Sequence, residues 1–584
     1  MNVFNKNKGI TLVALVVTIV VLLILAGVSI NLVIGQNGLI TKAKEAKEKT
    51  EHAAKDEERM FNEIEQSMTE YLEPWSGNIA SSFASGDGTE ANPYIIENGE
   101  QLAYLASKVN AGEKYSGKYI SITQSINLGG KEFAPIGRNI EETDVNNLQT
   151  YFDGTLDGKE NTITGVKITQ TDVDGIGIVG VLGENGTIKN LNTYEGTVIG
   201  KYLVGGIVGL NYGKIENCSN NLKITANYQA GGIVGRNNAG TVAECSNSGI
   251  ITADKANAGG IAGDQENGTI TGCSNSGEII AKDHQAGGIA GALGAGTVEN
   301  CSNNGTITAN NQIAGGIAGY QVAGTIENCS NNGTIIANNK FAGGIVGYQK
   351  DETITGCSNN GTITANNQLA GGITGWQDAG TITGCNNSGE VTSSIGAGGI
   401  SGYQVAGTIE NCSNNGIITV NSQQAGGIAG RQVGGTIKNC ANASFIIAKA
   451  ETNRGIAGGI IASQAGGETY NVYNSGNVTT ANFSDSTVDA IGGIVGYQKA
   501  GTISKAYNKG ELTGGEATGG IIGQKNLAPE VSETYYYTSQ DIKGIGSETD
   551  TNTEVTAVED VQGKTEKTSK NIESLQSFLT ATMP

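Results

Sequence analysis

Histidine, proline, aromatic side chains and basic clusters are all scarce in this 584-residue chain, and each shortage narrows what it can be. Two histidines, His52 and His284, leave little for zinc or general-base chemistry. Aromatic residues make up 5%, which argues against a large conventional globular core. Thirty-six Lys and Arg stand against 56 Asp and Glu, a net charge of −20. That balance excludes nucleic acid as a natural ligand, because phosphate binding needs basic clusters, and disfavours attachment to anionic lipid. Proline occurs five times and no collagen triplet runs through the 90 glycines, so the glycines serve frequent sharp turns.

The glycines are ordered. A Gly-Gly-Ile signature recurs twelve times, starting at Gly205, Gly231, Gly259, Gly287, Gly315, Gly343, Gly371, Gly398, Gly426, Gly458, Gly492 and Gly519, usually 28 residues apart. Periods of this size mark solenoids, whose units bury a core only by stacking. In residues 314–341, three β-compatible stretches are separated by Gly and Asn turns, as in one coil of a parallel β-solenoid. Ile317 is expected to face inward in the first stretch, and Ile345 in the next coil. Gly315 and Gly319 share that parity and are expected to leave room for the opposing wall. Ile326, Cys329, Asn331, Ile335 and Ala337 complete the inward set, with a corner near Asn328. Asn331 and its counterpart Asn359 form a ladder of stacked amides, since a buried amide needs partners.

Nine cysteines, one per repeat from Cys218 to Cys440, occupy a slot that holds Leu191, Val472 or Ala506 elsewhere. A site shared by Cys, Leu, Val and Ala is a small buried apolar site, so Cys329, Cys357 and the others are expected as reduced thiols. An outward stripe follows the glycine strand: Tyr320, Tyr348, Trp376, Tyr403, Arg431 and later Tyr497. Rings spaced by about 4.8 Å would form a track suited to sugar rings or partner side chains, or simply cover the strand.

Residues 10–34 form a nearly unbroken apolar run, long enough to cross a bilayer as a helix, with Lys6 and Lys8 keeping the leader cytoplasmic. The leader MNVFNKNKG ends in Gly9 before that run, unlike a secretory signal. This arrangement resembles a type IV pilin-like leader. The resemblance implies cleavage after Gly9 by a prepilin peptidase, Ile10 as the new first residue, and pilus or secretion-like machinery as partners. Ala14 stands where that family carries Glu. An uncleaved single-span anchor is the alternative. Ala, Lys and Glu then dominate a charged stretch with Phe61, Ile64, Met68 and Tyr71 on one helical face. The rungs resemble GLUG-motif repeats of bacterial surface proteins, here GGIVG or GGIAG, together with GDGTEANPYII, YFDGTLDGKENTITGV and YYYTSQDIKGIG. With the leader, the resemblance implies a Gram-positive, Clostridia-like surface protein.

The expected organisation is a leader (1–9), a membrane helix (10–35), a charged helical stalk (36–76), a cap with first coils (77–200), the repeats (201–526) and a C-terminal cap with a short helix (527–584). The fold class is mainly β, a right-handed parallel β-solenoid of about 12 rungs. The expected role is a membrane-tethered, outward-displayed adhesin or interaction protein that binds an extracellular glycan or protein, without catalysis, cofactor or metal. A polysaccharide-degrading β-helix enzyme is the alternative, but it needs facing carboxylates, and the acids here are scattered: Glu299 and Glu327 give way to Thr355 and Thr383.

Overall fold

The computed structural model describes residues 72–138, 150–449, 455–480, 489–526, 531–536, 545–548 and 559–560. The leader, the membrane helix, the stalk up to residue 71 and the helix expected near 567–579 lie outside the described residues. Among the described residues no helix is long and apolar enough to cross a membrane.

The chain from Pro74 onward winds as a parallel β-solenoid of about 15 turns. Among the described residues three sheets line it, with 39, 14 and 12 strands, called here the wide, second and third sheets. One coil shows how. Ile313–Gly315 belongs to the third sheet and Ala318–Gln321 to the second. The wide sheet takes Thr325–Glu327, Ser330–Asn331 and Thr334–Ala337. Each strand pairs in parallel with the same residues of the next coil, so Ile326 meets Ile354, Asn331 meets Asn359 and Ala337 meets Ala365. The columns stay in register because every coil repeats the same alternation, and a slip by one residue would turn the isoleucines outward. Ile317, Ile345, Ile326 and Ile335 are fully buried. Each buried Ile contributes roughly 1.5–3 kcal/mol before chain entropy opposes it.

The glycine signature works differently from the expectation. It is not one strand: the chain bends at Gly316 and Ile317, and the third-sheet strand folds back against the second-sheet strand. A methyl on Gly319 would lie 2.8 Å from Cβ of Gln285, on the third-sheet strand of the preceding coil. Gly319 therefore makes room for a neighbouring strand. The glycine that clears the opposing wall is Gly316, whose added methyl would lie 2.6 Å from Cγ of Asn331.

More coils exist than the doublet marks. Val179–Leu182 pairs with Val208–Asn211, and Ile545–Glu548 pairs with Ile522–Lys525. In the former coil three steps separate Ile176 from Val179, whereas the next coil takes four from Val204 to Val208, so its corner carries one glycine fewer. At the amino-terminal end lies helix α1 (Gly99–Asn110), with the Asn98 side chain accepting from the Gln101 amide. Its buried Leu102, Leu105, Ala106 and Val109 lie at helical spacing and join the same apolar core as Ile96 and Ile120 of the first coils.

Candidate functional site

Four columns of side chains run along the solenoid, three buried inside it and one half-buried, and the sequence singled out all but one of them. Inside, the Asn column is continuous. From Asn220 to Asn508 each amide Nδ2 donates to Oδ1 of the next coil; the bond from Asn331 to Asn359 measures 2.7 Å and that from Asn359 to Asn387 2.7 Å. Most of these oxygens also accept from the backbone two residues on, as Asn331 does from Gly333 N at 3.3 Å. Thr193 Oγ1 closes the first oxygen, donating to Asn220 at 3.0 Å.

The nine cysteines are free and buried, Cys329 and Cys357 with 1% exposure. Their thiols donate to the carbonyl two residues back, Cys329 to Glu327 at 3.2 Å and Cys357 to Thr355 at 3.3 Å. Burial pushes the Cys385 and Cys412 thiols well above their ordinary value, which suppresses the nucleophilic thiolate.

A second buried amide column went unnoticed in the sequence. Gln321, Gln349, Gln377, Gln404, Gln432, Gln464 and Gln498 stack in register and are fully buried. Gln464 donates to Gln432 at 3.0 Å and Gln498 to Gln464 at 2.9 Å, whereas Gln321 donates to the Gly324 carbonyl at 2.8 Å. The signal was present as the Gln that directly follows each stripe residue, in GYQ, GWQ and GRQ.

The aromatic stripe lies along the seam between the second and third sheets. Tyr320, Tyr348, Trp376, Tyr403 and Arg431 are consecutive in register and half-buried. Their rings do not present open faces at even spacing. Tyr348 and Trp376 stack at 6.2 Å with an interplanar angle of 4°, and Trp376 and Tyr403 at 4.2 Å with 7°. Tyr320 and Tyr348 are 5.1 Å apart and tilted by 41°. Phe341, from the third sheet, adds a ring 5.1 Å from Trp376. Arg431 lies over Tyr403 at 5.4 Å. Within the stack the faces are spent on one another, and the Trp376 Nε1 edge is itself buried. Burial, then the Asp378 carboxylate, pushes the Tyr348 hydroxyl up to about 12, so it remains a hydrogen-bond donor at neutral pH. Toward the amino-terminal end the same seam carries Arg236 and Asp264, paired at 3.1 Å, and a small outer apolar cluster of Val181, Leu203 and Leu210.

Among the described residues no group of three or more His, Cys, Asp or Glu is arranged to hold a metal ion. Gly9 and Ile10 lie outside the described residues.

Comparison with known proteins adds four findings. A "Putative Gly-rich membrane protein" of Evansella cellulosilytica is 36% identical over 24% of this chain and 16% of its own length. "Halomucin" of Haloquadratum walsbyi is 29% identical over 27% of this chain and 2% of its own length. This chain thus spans a small part of either relative. A crystal structure described as that of a "putative immunoglobulin A1 protease" from Bacteroides ovatus covers 59% of this chain and 83% of its own, at 20% identity and a TM-score of 0.30, a likeness too low to carry an argument. The GLUG motif matches residues 200–225, 283–308 and 310–336, so the repeats are similar to GLUG repeats over three stretches of the solenoid.

Proposed function

We propose that this chain is a cell-surface adhesin or interaction protein that binds an extracellular glycan or protein along the seam of its solenoid. The observation that carries the reading is the half-buried column from Tyr320 to Arg431, where rings and one guanidinium stand in register outside the core. Aromatic and Arg side chains dominate recognition surfaces because they bring large rigid contact area with a polar handle. The names of the two relatives, a membrane protein and a halomucin, agree with display at the surface. A leader processed after Gly9, leaving Ile10 first and the apolar run as anchor, would deliver the solenoid there through pilin-like export.

Two measurements test this. The full chain, purified in detergent, is expected to bind on a glycan or surface-protein array, and replacing Tyr348, Trp376 and Tyr403 together with Ala is expected to abolish that binding. Unchanged binding in the triple variant rejects the seam as the site. Incubation of the precursor with a prepilin peptidase is expected to give a chain that starts at Ile10; an intact leader leaves a simple anchor.

A further inference from the structure

Beside α1 a cleft of about 500 Å³ opens to solvent, and none of the residues lining it belongs to the seam. Small-molecule sites span roughly 300–1,000 Å³, so the space suits a ligand of that size. Its floor is Trp75 and Phe133, packed edge to face with ring centroids 6.0 Å apart. Trp75 is fixed by two bonds: its backbone amide donates to Asn127 O at 2.7 Å and its Nε1 to Asn78 O at 2.7 Å. The Asn110 amide is likewise taken up by the frame, donating to Pro135 O at 2.9 Å and accepting from Gly137 N at 3.1 Å.

One wall is the α1 face that carries Ala103, Ala106, Ser107 and Asn110, three or four residues apart. Ala134 and Gly77 also border the space, so short side chains keep it open. Ile79, which lines it too, is 59% exposed, more than any other large apolar side chain described. Two opposite charges share the cleft, Glu132 and Arg138. Glu132 Oε1 accepts from the Thr169 amide, which holds the carboxylate in place while its other lone pairs can take a second donor. The carbonyl end of α1, at Asn110 and Ala111, adds negative partial charge to the same space. The surroundings therefore offer an apolar floor, one anionic group and one cationic group.

We infer that this cleft binds a small zwitterion with an apolar side chain, a free apolar amino acid or dipeptide. The side chain covers Trp75, Phe133 and Ile79. The carboxylate meets the Arg138 guanidinium, and the ammonium meets Glu132 beside the carbonyl end of α1. An uncharged apolar ligand leaves both charged groups without a partner, and the middle of a protein chain supplies neither terminus. A small zwitterion satisfies all three features at once. The site is independent of the seam and stands or falls without it.

Equilibrium dialysis of the full chain against labelled phenylalanine and Leu-Leu tests this. Saturable binding of both is expected, and N-acetyl-Leu-Leu and Leu-Leu amide, each lacking one charge, are expected to bind about tenfold more weakly or worse. Arg138→Gln is expected to weaken Leu-Leu to the level of the amide without weakening the amide further. Glu132→Gln keeps the oxygen that Thr169 donates to, and is expected to act in the same way on the acetylated form. Ala134 is exposed, so Ala134→Phe is expected to fill the cleft and abolish all binding with an unchanged thermal melt. Absence of saturable binding in the wild type, or wild-type affinity in a folded Ala134→Phe, overturns the site. Equal affinity for Leu-Leu and both blocked forms overturns the zwitterion. Should Ala134→Phe lower the melt, the two charge variants decide alone, and the assignment falls if neither distinguishes blocked from unblocked ligand.

Discussion

Asn328 turns the corner of its coil in the left-handed region, at φ 52°, and the equivalent residues of other coils share that conformation. Most are Asn or Gly, such as Asn300, Gly356, Gly384 and Asn411, the residues that tolerate positive φ with least cost. Glu244 and Lys505 occupy the same corner at φ 51° and 49° without that tolerance. Asn217, one coil before Glu244, also sends its side chain to Asn190 Oδ1 at 2.8 Å, an outer amide contact that Glu244 interrupts. Glu244→Asn is therefore expected to stabilise the chain by about 0.5–1 kcal/mol through relief of the αL penalty. A rise in the melting midpoint checks this, and an unchanged or lower midpoint contradicts it. Such corners were readable at residue scale because Asn and Gly alternate at one fixed offset. The role of Gly319 was not: sequence alone shows that no side chain fits there, but not which neighbour excludes it.

At the scale of the strand, period-two alternation predicted a single run through Ile317, and the chain bends there instead. Ile317 and Ala318 are adjacent and both join the same core, which a straight strand with one face turned inward cannot achieve. Alternation carries no signal for a bend that turns two successive residues inward, and the buried Gln column escaped notice for the same reason. The wide sheet was more legible, because Ile326, Cys329, Asn331, Ile335 and Ala337 all lie inside it. One consequence is chemical. With all nine thiols buried and hydrogen-bonded to backbone carbonyls, none is expected to react with a thiol-specific disulfide reagent in the native state, and all nine are expected to react after denaturation. Rapid titration of several thiols in the folded chain would show that the wide sheet opens or that the column is misplaced.

For the solenoid as a whole, each coil meets its neighbours in the same register, so stability sums over coils and interfaces. Excising residues 314–341 joins Ile313 to Ala342 and restores the Ile-Ala-Gly-Gly-Ile sequence at the junction. That variant is expected to fold with an unchanged β spectrum per residue and a melt within a few degrees of the parent. Removing only residues 314–327 leaves half a coil and is expected to melt far lower; equal behaviour of the two deletions would refute the register argument. The Asn column has one more property. Its ten bonds from Asn220 to Asn508 all run head to tail, every N–H toward the carboxyl-terminal coils. Backbone groups in a parallel sheet alternate in direction and largely cancel, but these side-chain amides, at about 3.5 D each if they match the peptide group, add up. The column therefore carries a permanent dipole of its own, with its negative pole at the α1 end.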